Sequence, residues 1–181
     1  DENNMALNAD EILISTSSCL GMELTLLSIL DPEDEVILFS PYFFPYASQV
    51  ELAGGRAVEV PTYEEENFAI SEERLRAALS PRTKALILNN PCNPTGAAYD
   101  MSTYEAIARV AKERDLVVIV DEIYTDYMYE GAFVPFRSMF DMAERTITLN
   151  SFSKNFIMTG WRVGSIIAHP EIVATIKRIN E

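Results

Sequence analysis

Seven short runs of β-branched and aliphatic residues alternate with stretches whose apolar residues recur at helical spacing. The runs are Ile12–Ser15, Val36–Phe39, Ala57–Val60, Ala85–Leu88, Leu116–Val120, Ile147–Leu149 and Val163–Ala168. They lack the in-out alternation of a half-solvated strand, so they are predicted to be strands buried on both faces. Helices are predicted over Leu20–Leu30, Phe44–Ala53, Glu72–Leu79, Thr103–Arg114 and Glu171–Ile179. Ser71 reads as an N-cap and Pro81 as a stop, Ser102 with Glu105 has capping-box spacing, and Pro170 suits a first helical position. Strands alternating with helices require crossover connections. The pattern therefore predicts a three-layer α/β/α domain on a mainly parallel sheet of about seven strands.

A chain of 181 residues, 48% hydrophobic, can bury a real core and fits one domain. Its net charge of −14 provides no basic surface for a phosphate backbone or an anionic membrane. Neither nucleic acid nor membrane is expected as a partner; a small molecule is. No apolar run approaches bilayer length, and Asp1–Asn4 is acidic where a signal peptide would be basic, so a cytoplasmic location is expected. Cys19 and Cys92 lie far apart without CxxC spacing, which predicts reduced thiols and no metal site. The acidic run Glu64 to Glu66 reads as a solvated loop.

Ligands of open α/β sheets bind beyond the carboxyl ends of the parallel strands. Residues in those places are unusually polar here. Thr16-Ser17-Ser18-Cys19 follows the first run and leads into a helix, where free amides and hydroxyls can hold an anion. Asn89-Asn90-Pro91-Cys92-Asn93-Pro94-Thr95-Gly96 follows the fourth, Asp121-Glu122-Ile123-Tyr124 the fifth, and Asn150-Ser151-Phe152-Ser153-Lys154 the sixth. Taken singly, each has an ordinary reading as an N-cap, a turn, a salt-bridge partner or a solvated lysine.

Together they have another. Asn93-Pro94-Thr95-Gly96, Asp121-x-x-Tyr124 and Ser151-x-Ser153-Lys154, followed by Gly160-Trp161-Arg162-Val163-Gly164, resemble in order and spacing the class I/II aminotransferases of fold type I, enzymes dependent on pyridoxal 5′-phosphate (PLP). The resemblance runs from about Glu11 to the end of the sequence.

It implies a role for each residue. Lys154 is expected to hold PLP as a Schiff base and, once displaced by an amino acid, to move a proton as general base. Asp121 is expected to face the pyridine nitrogen and keep it protonated. Tyr124 and Asn93 match the partners of the ring oxygen, and Phe43 the aromatic stacked on the ring. Ser17, Ser18, Cys19, Ser151 and Arg162 match the phosphate-binding positions. Cys19 departs from the Gly, Ala or Ser common there and leaves more to backbone amides. Cys92 has no accompanying His and reads as packing, and His169, before Pro170, as helix-start packing. For Arg162 to reach a phosphate at the carboxyl edge, the last strand must run antiparallel to its neighbours.

The resemblance further implies that residues 1–181 are the PLP-binding large domain of a homodimer. A segment before it and a small domain after it would contribute a tyrosine lent across subunits and the arginine that grips the substrate carboxylate. Alone, the chain is expected to bind PLP weakly at most and to transaminate slowly or not at all. The leading expectation is transfer of an amino group between an amino acid and a 2-oxo acid. A PLP-dependent carbon–sulfur lyase or synthase, or the PLP-sensing domain of an aminotransferase-like transcription regulator, are the alternatives. Thr95 in the Asn-Pro-Thr-Gly string favours the first.

Overall fold

A computed structural model describes residues 7–181; the acidic stretch Asp1–Asn4 lies outside them. Every apolar run forms a strand: β1 (Ile12–Ser15), β2 (Glu35–Ser40), β3 (Arg56–Pro61), β4 (Thr83–Asn89), β5 (Val117–Asp121), β6 (Thr146–Ser151) and β7 (Gly164–Ile167). They make one sheet in the order β1-β7-β6-β5-β4-β2-β3. Strands β3, β2, β4, β5 and β6 pair in parallel, while β7 is antiparallel to both β6 and β1, as the position of Arg162 requires.

Six helices cover the sheet: α1 (Ser18–Ile29), α2 (Pro45–Leu52), α3 (Glu72–Ala78), α4 (Met101–Glu113), α5 (Phe152–Asn155) and α6 (Pro170–Asn180). Residues of one strand divide between two cores by the strand's period of two. Ile37 and Phe39 join Leu86, Leu88, Val118 and Val120 beneath Leu75 of α3 and Ile107 of α4. Val36 and Leu38 join Ile87, Ile119, Ile147 and Leu149 beneath Met22 and Leu26 of α1, Val50 of α2 and Ile176 of α6. Most of these side chains are almost wholly buried, each contributing about 1.5–3 kcal/mol. Among the described residues no helix is long and apolar enough to cross a membrane.

Four local expectations are corrected. The edge strands β1 and β3 are not buried on both faces, because each has a sheet neighbour on one side only. The cap of α4 is Asp100, which accepts from the Thr103 amide at 2.8 Å, and Ser102 instead donates its hydroxyl to Asp100. A carboxylate one residue before the helix outcompetes a serine inside its first turn. Glu64–Glu66 is a turn of 3-10 helix rather than a plain loop, and Glu66 is paired with Arg74. The α5 turn was not anticipated. Elsewhere Ser71 caps α3 and Pro170 opens α6, with His169 as its cap.

Two buried ionisable groups tie the connecting segments to the sheet. Arg137, 6% exposed, donates to Glu11 at 2.6 Å and to the carbonyls of Ala143 and Thr146, joining the start of β1 to the approach to β6. Glu122, 2% exposed, accepts from the Phe136 amide at 3.0 Å. Burial pushes its carboxyl up to about 8; the Phe136 amide opposes that shift and the Asp121 charge adds to it.

Gly164 opens β7 beneath the first turn of α1. A Cβ there would lie 2.6 Å from the Ser18 nitrogen and 2.7 Å from the Ser17 carbonyl carbon. Both are backbone atoms. Gly164→Ala should therefore cost about 1–3 kcal/mol, read as a lowered urea midpoint, and an unchanged midpoint would show that the strand and helix can part freely. Glu122 supplies a second expectation. From about pH 4.5 to about 8 the folded chain holds a proton on Glu122 that the unfolded chain releases, so this group's contribution to stability falls as pH rises through that window. Between about 6, the value for Asp121, and about 8, Glu122→Gln should flatten the pH dependence of the melting temperature. A slope equal to the parent's would assign the proton to another group.

Candidate active site

Parallel strands end their backbone hydrogen bonding at one edge, and there the sequence changes from aliphatic to polar. In register, Asn89 stands beside Asp121, and Gly164 stands between Ser151 and Ser15. The antiparallel β7 thus begins where its neighbours finish. Ser17, Ser18, Cys19, Phe43, Asn93, Asp121, Tyr124, Ser151, Lys154 and Arg162 all line one pocket of about 280 Å³ at this edge.

At one end is the N-terminus of α1. Ser17 is its cap, accepting from the Leu20 amide at 3.0 Å, so its hydroxyl proton stays free and the first amides of the helix face outward. Ser151 is buried and caps α5 in the same way, accepting from Ser153 at 3.2 Å. Arg162 adopts a left-handed backbone with φ of 55°, at the turn that sends the chain back into β7. One of its guanidinium nitrogens donates to Thr159 at 3.0 Å. Helix end, hydroxyls and guanidinium form a cup suited to an anion. Cys19 is exposed, and its carbonyl accepts from Gln49 at 2.8 Å. Burial, then the Asp121 charge, raises its thiol, so at neutral pH it is a protonated and feeble donor.

At the other end is Asp121, the last residue of β5 and 5% exposed. Its Oδ2 accepts from the Tyr46 hydroxyl at 2.6 Å. Its Oδ1 is buried and meets no donor among the described residues. Burial raises this carboxyl to about 6, with Tyr46 and the Ile123 amide opposing. Asn89 sets the surroundings: it donates to the Asp121 main-chain carbonyl at 2.9 Å and accepts from the Asn93 amide at 2.7 Å, linking the end of β5 to the asparagine loop. Tyr124, half-buried against Asn93, has its phenol raised by burial and then by the Asp121 charge, and so remains a donor.

Lys154 is exposed on the one-turn helix α5, its Nζ 5.9 Å from the Tyr124 ring centroid. The turn is pinned to the segment after β5. Tyr127 donates to the Lys154 carbonyl at 3.1 Å, and Asn155 donates to the Thr125 hydroxyl at 2.8 Å. Phe43 meets Tyr46 edge to face at 5.6 Å. Tyr46, Asn89 and Tyr127 were not anticipated. Asn89 alone had a signal, as the first polar residue after an apolar run.

Cys92 is a buried packing residue beside the Pro41 carbonyl.

Comparison with known proteins agrees with this architecture. The family described as aminotransferase class I and II matches residues 1–181. An aspartate/prephenate aminotransferase of Thermus thermophilus is 41% identical over 180 residues, covering 99% of this chain and 46% of its own length. An aromatic-amino-acid aminotransferase of Thermococcus litoralis is 43% identical over 169 residues, covering 93% of this chain and 43% of its own. The solved structure of a Thermus thermophilus aspartate aminotransferase with maleate superimposes with a TM-score of 0.94 at 40% identity, over 98% of this chain and 46% of that one. The chain thus spans under half the length of these relatives. With seven strands in this order, a polar pocket at their shared edge and a family match over the whole sequence, the chain belongs to the class I and II aminotransferases.

Proposed function

We propose that this chain binds PLP in the pocket through Lys154, and that the protein it belongs to transfers amino groups between an amino acid and a 2-oxo acid. The observation that carries the reading is Asp121: a buried carboxylate with one oxygen held by Tyr46 and the other without a donor, across a pocket that also holds an amine. A buried acceptor of this kind calls for a charged N–H. The protonated pyridine of PLP is such a group, and the residues around the pocket fit the remainder of the molecule.

Bound there, PLP supplies an electron-withdrawing ring that takes up the electron pair left when a substrate loses its Cα proton. The protein's residues do the rest. Asp121, ionised above about pH 6, stabilises a positive ring nitrogen. Tyr124 and Asn93 would serve as donors to the ring oxygen. Ser17, Ser18, Ser151 and Arg162, with the amides of α1, would hold the phosphate, and the Cys19 backbone would add to them. Phe43 would supply an aromatic face to the ring. Lys154 would hold the cofactor, and its amine is the group that would take a proton from the substrate Cα. A homodimer belongs to the same reading: Phe44 and Trp161, exposed and next in the chain to pocket residues, and the exposed Ile157 between Lys154 and Thr159, are apolar surface that a second copy would cover. The free thiols Cys19 and Cys92 suit a cytoplasmic protein.

Chain incubated with PLP should gain near-visible absorption, and borohydride should then fix the cofactor's mass on Lys154. Equal labelling of Lys154→Ala would remove that residue from the role. Asp121→Asn keeps shape and removes charge, so in the protein carrying this chain amino-group transfer should fall ~10²-fold or more. Activity within a few-fold of the parent would take the electron sink away from Asp121.

A further inference from the structure

We infer that Tyr46 is a positioning residue for Asp121: its hydroxyl fixes one carboxylate oxygen and thereby turns the other toward the ligand in the pocket. Three observations combine. The contact is short, 2.6 Å, and lies between side chains 3% and 5% exposed, where water does not compete. The rest of Asp121 is fixed from behind by its backbone, since its carbonyl accepts from the Asn89 side chain at 2.9 Å and from the Asn90 amide at 3.1 Å. Beside the Ile123 amide, which also favours the ionised carboxylate, that leaves Tyr46 as the side-chain donor setting its rotation among the described residues, and Oδ1 as the oxygen with no partner at hydrogen-bond distance.

Direction and rigidity follow. Burial holds the Tyr46 phenol well above its ordinary value, so it donates and does not accept. Donation to one oxygen favours the ionised carboxylate against the burial that opposes it. Tyr46 itself is held by the apolar core beneath α2 and by edge contact with Phe43. The same side chain therefore braces both the carboxylate and the aromatic on the pocket wall. The other titratable groups around Asp121 are Glu122 next in the chain, Cys19 of α1 and Tyr124, and Lys154 and Arg162 share the pocket. None of them is hydrogen-bonded to the Asp121 carboxylate.

What Oδ1 receives rests on the cofactor reading; the Tyr46 contact does not. The test separates the two. The Asp121 carboxyl carbon is followed by NMR during pH titration of the cofactor-free chain, its signal assigned by its loss in Asp121→Asn. Tyr46→Phe keeps the ring and removes the hydroxyl. It should raise the proton affinity of Asp121 about tenfold or more, and lower PLP affinity near neutral pH, with a loss that steepens as pH falls. An unmoved titration midpoint overturns the inference. A moved midpoint in a chain that takes up no PLP overturns the cofactor reading and leaves the Tyr46 role standing. The parent protein supplies a further check that does not depend on the folding of any Tyr46 variant. Its hydroxyl proton, buried in a short bond to a carboxylate, should give a slowly exchanging downfield resonance, and failure to find one likewise overturns the inference.

Discussion

A parallel sheet covered on both faces offers ligands only its edges, and the polar pocket of this molecule follows from that constraint. Apolar side chains on β2, β4, β5 and β6 are consumed by the two cores, so chemistry collects where the strands stop. At that edge the chain must turn from a dry ladder to a helix or loop, leaving amides, hydroxyls and carboxylates without ladder partners. The pocket gathers those groups from α1, from the ends of β4, β5 and β6, and from the start of β7.

The same constraint gives Asp121 its character. A carboxylate at the end of a core strand is desolvated by the very packing that places it, and one short bond from Tyr46 offsets only part of that cost. The imbalance is confined to one oxygen. Glu122, next in the chain and more deeply desolvated, takes the opposite course: at neutral pH it keeps its proton and serves the fold by accepting from Phe136. Two adjacent acids thus divide into one that lines the pocket and one that serves the core.

Much of this was legible in the sequence because burial on both faces writes strands as unbroken aliphatic runs, and all seven were found within a few residues of their ends. The direction of β7 was legible too, once the resemblance assigned Arg162 to the phosphate-binding positions, since a guanidinium with that task at the carboxyl edge cannot precede a parallel strand. What failed was local competition. Asp100 and Ser102 are both good caps, and nothing in their spacing says which the helix will use. The α5 turn is too short to show periodicity. Tyr46 was invisible for a different reason: it lies on the apolar face of α2, where an aromatic reads as core, and its partner Asp121 stands on another strand's end far along the chain. Lys154 and Asp121 were recognised through the strings around them, and the bond that orients Asp121 belongs to no string.

The neighbour of β1 in the sheet is β7, with Ile12 opposite Ile167 and Ser15 opposite Gly164. Among the described residues no other strand pairs with β1, so β1 finds its sheet partner only when the chain has been made as far as β7. Closing a loop of that length is entropically costly and contributes to a high contact order. The helix end that caps the anion cup, at Ser17 and Ser18, is carried by that early strand, while Ser151 and Arg162 arrive late. Assembly of the pocket is therefore coupled to the pairing of β1 with β7, and a nascent chain cannot hold a ligand in the completed pocket before that pair has closed.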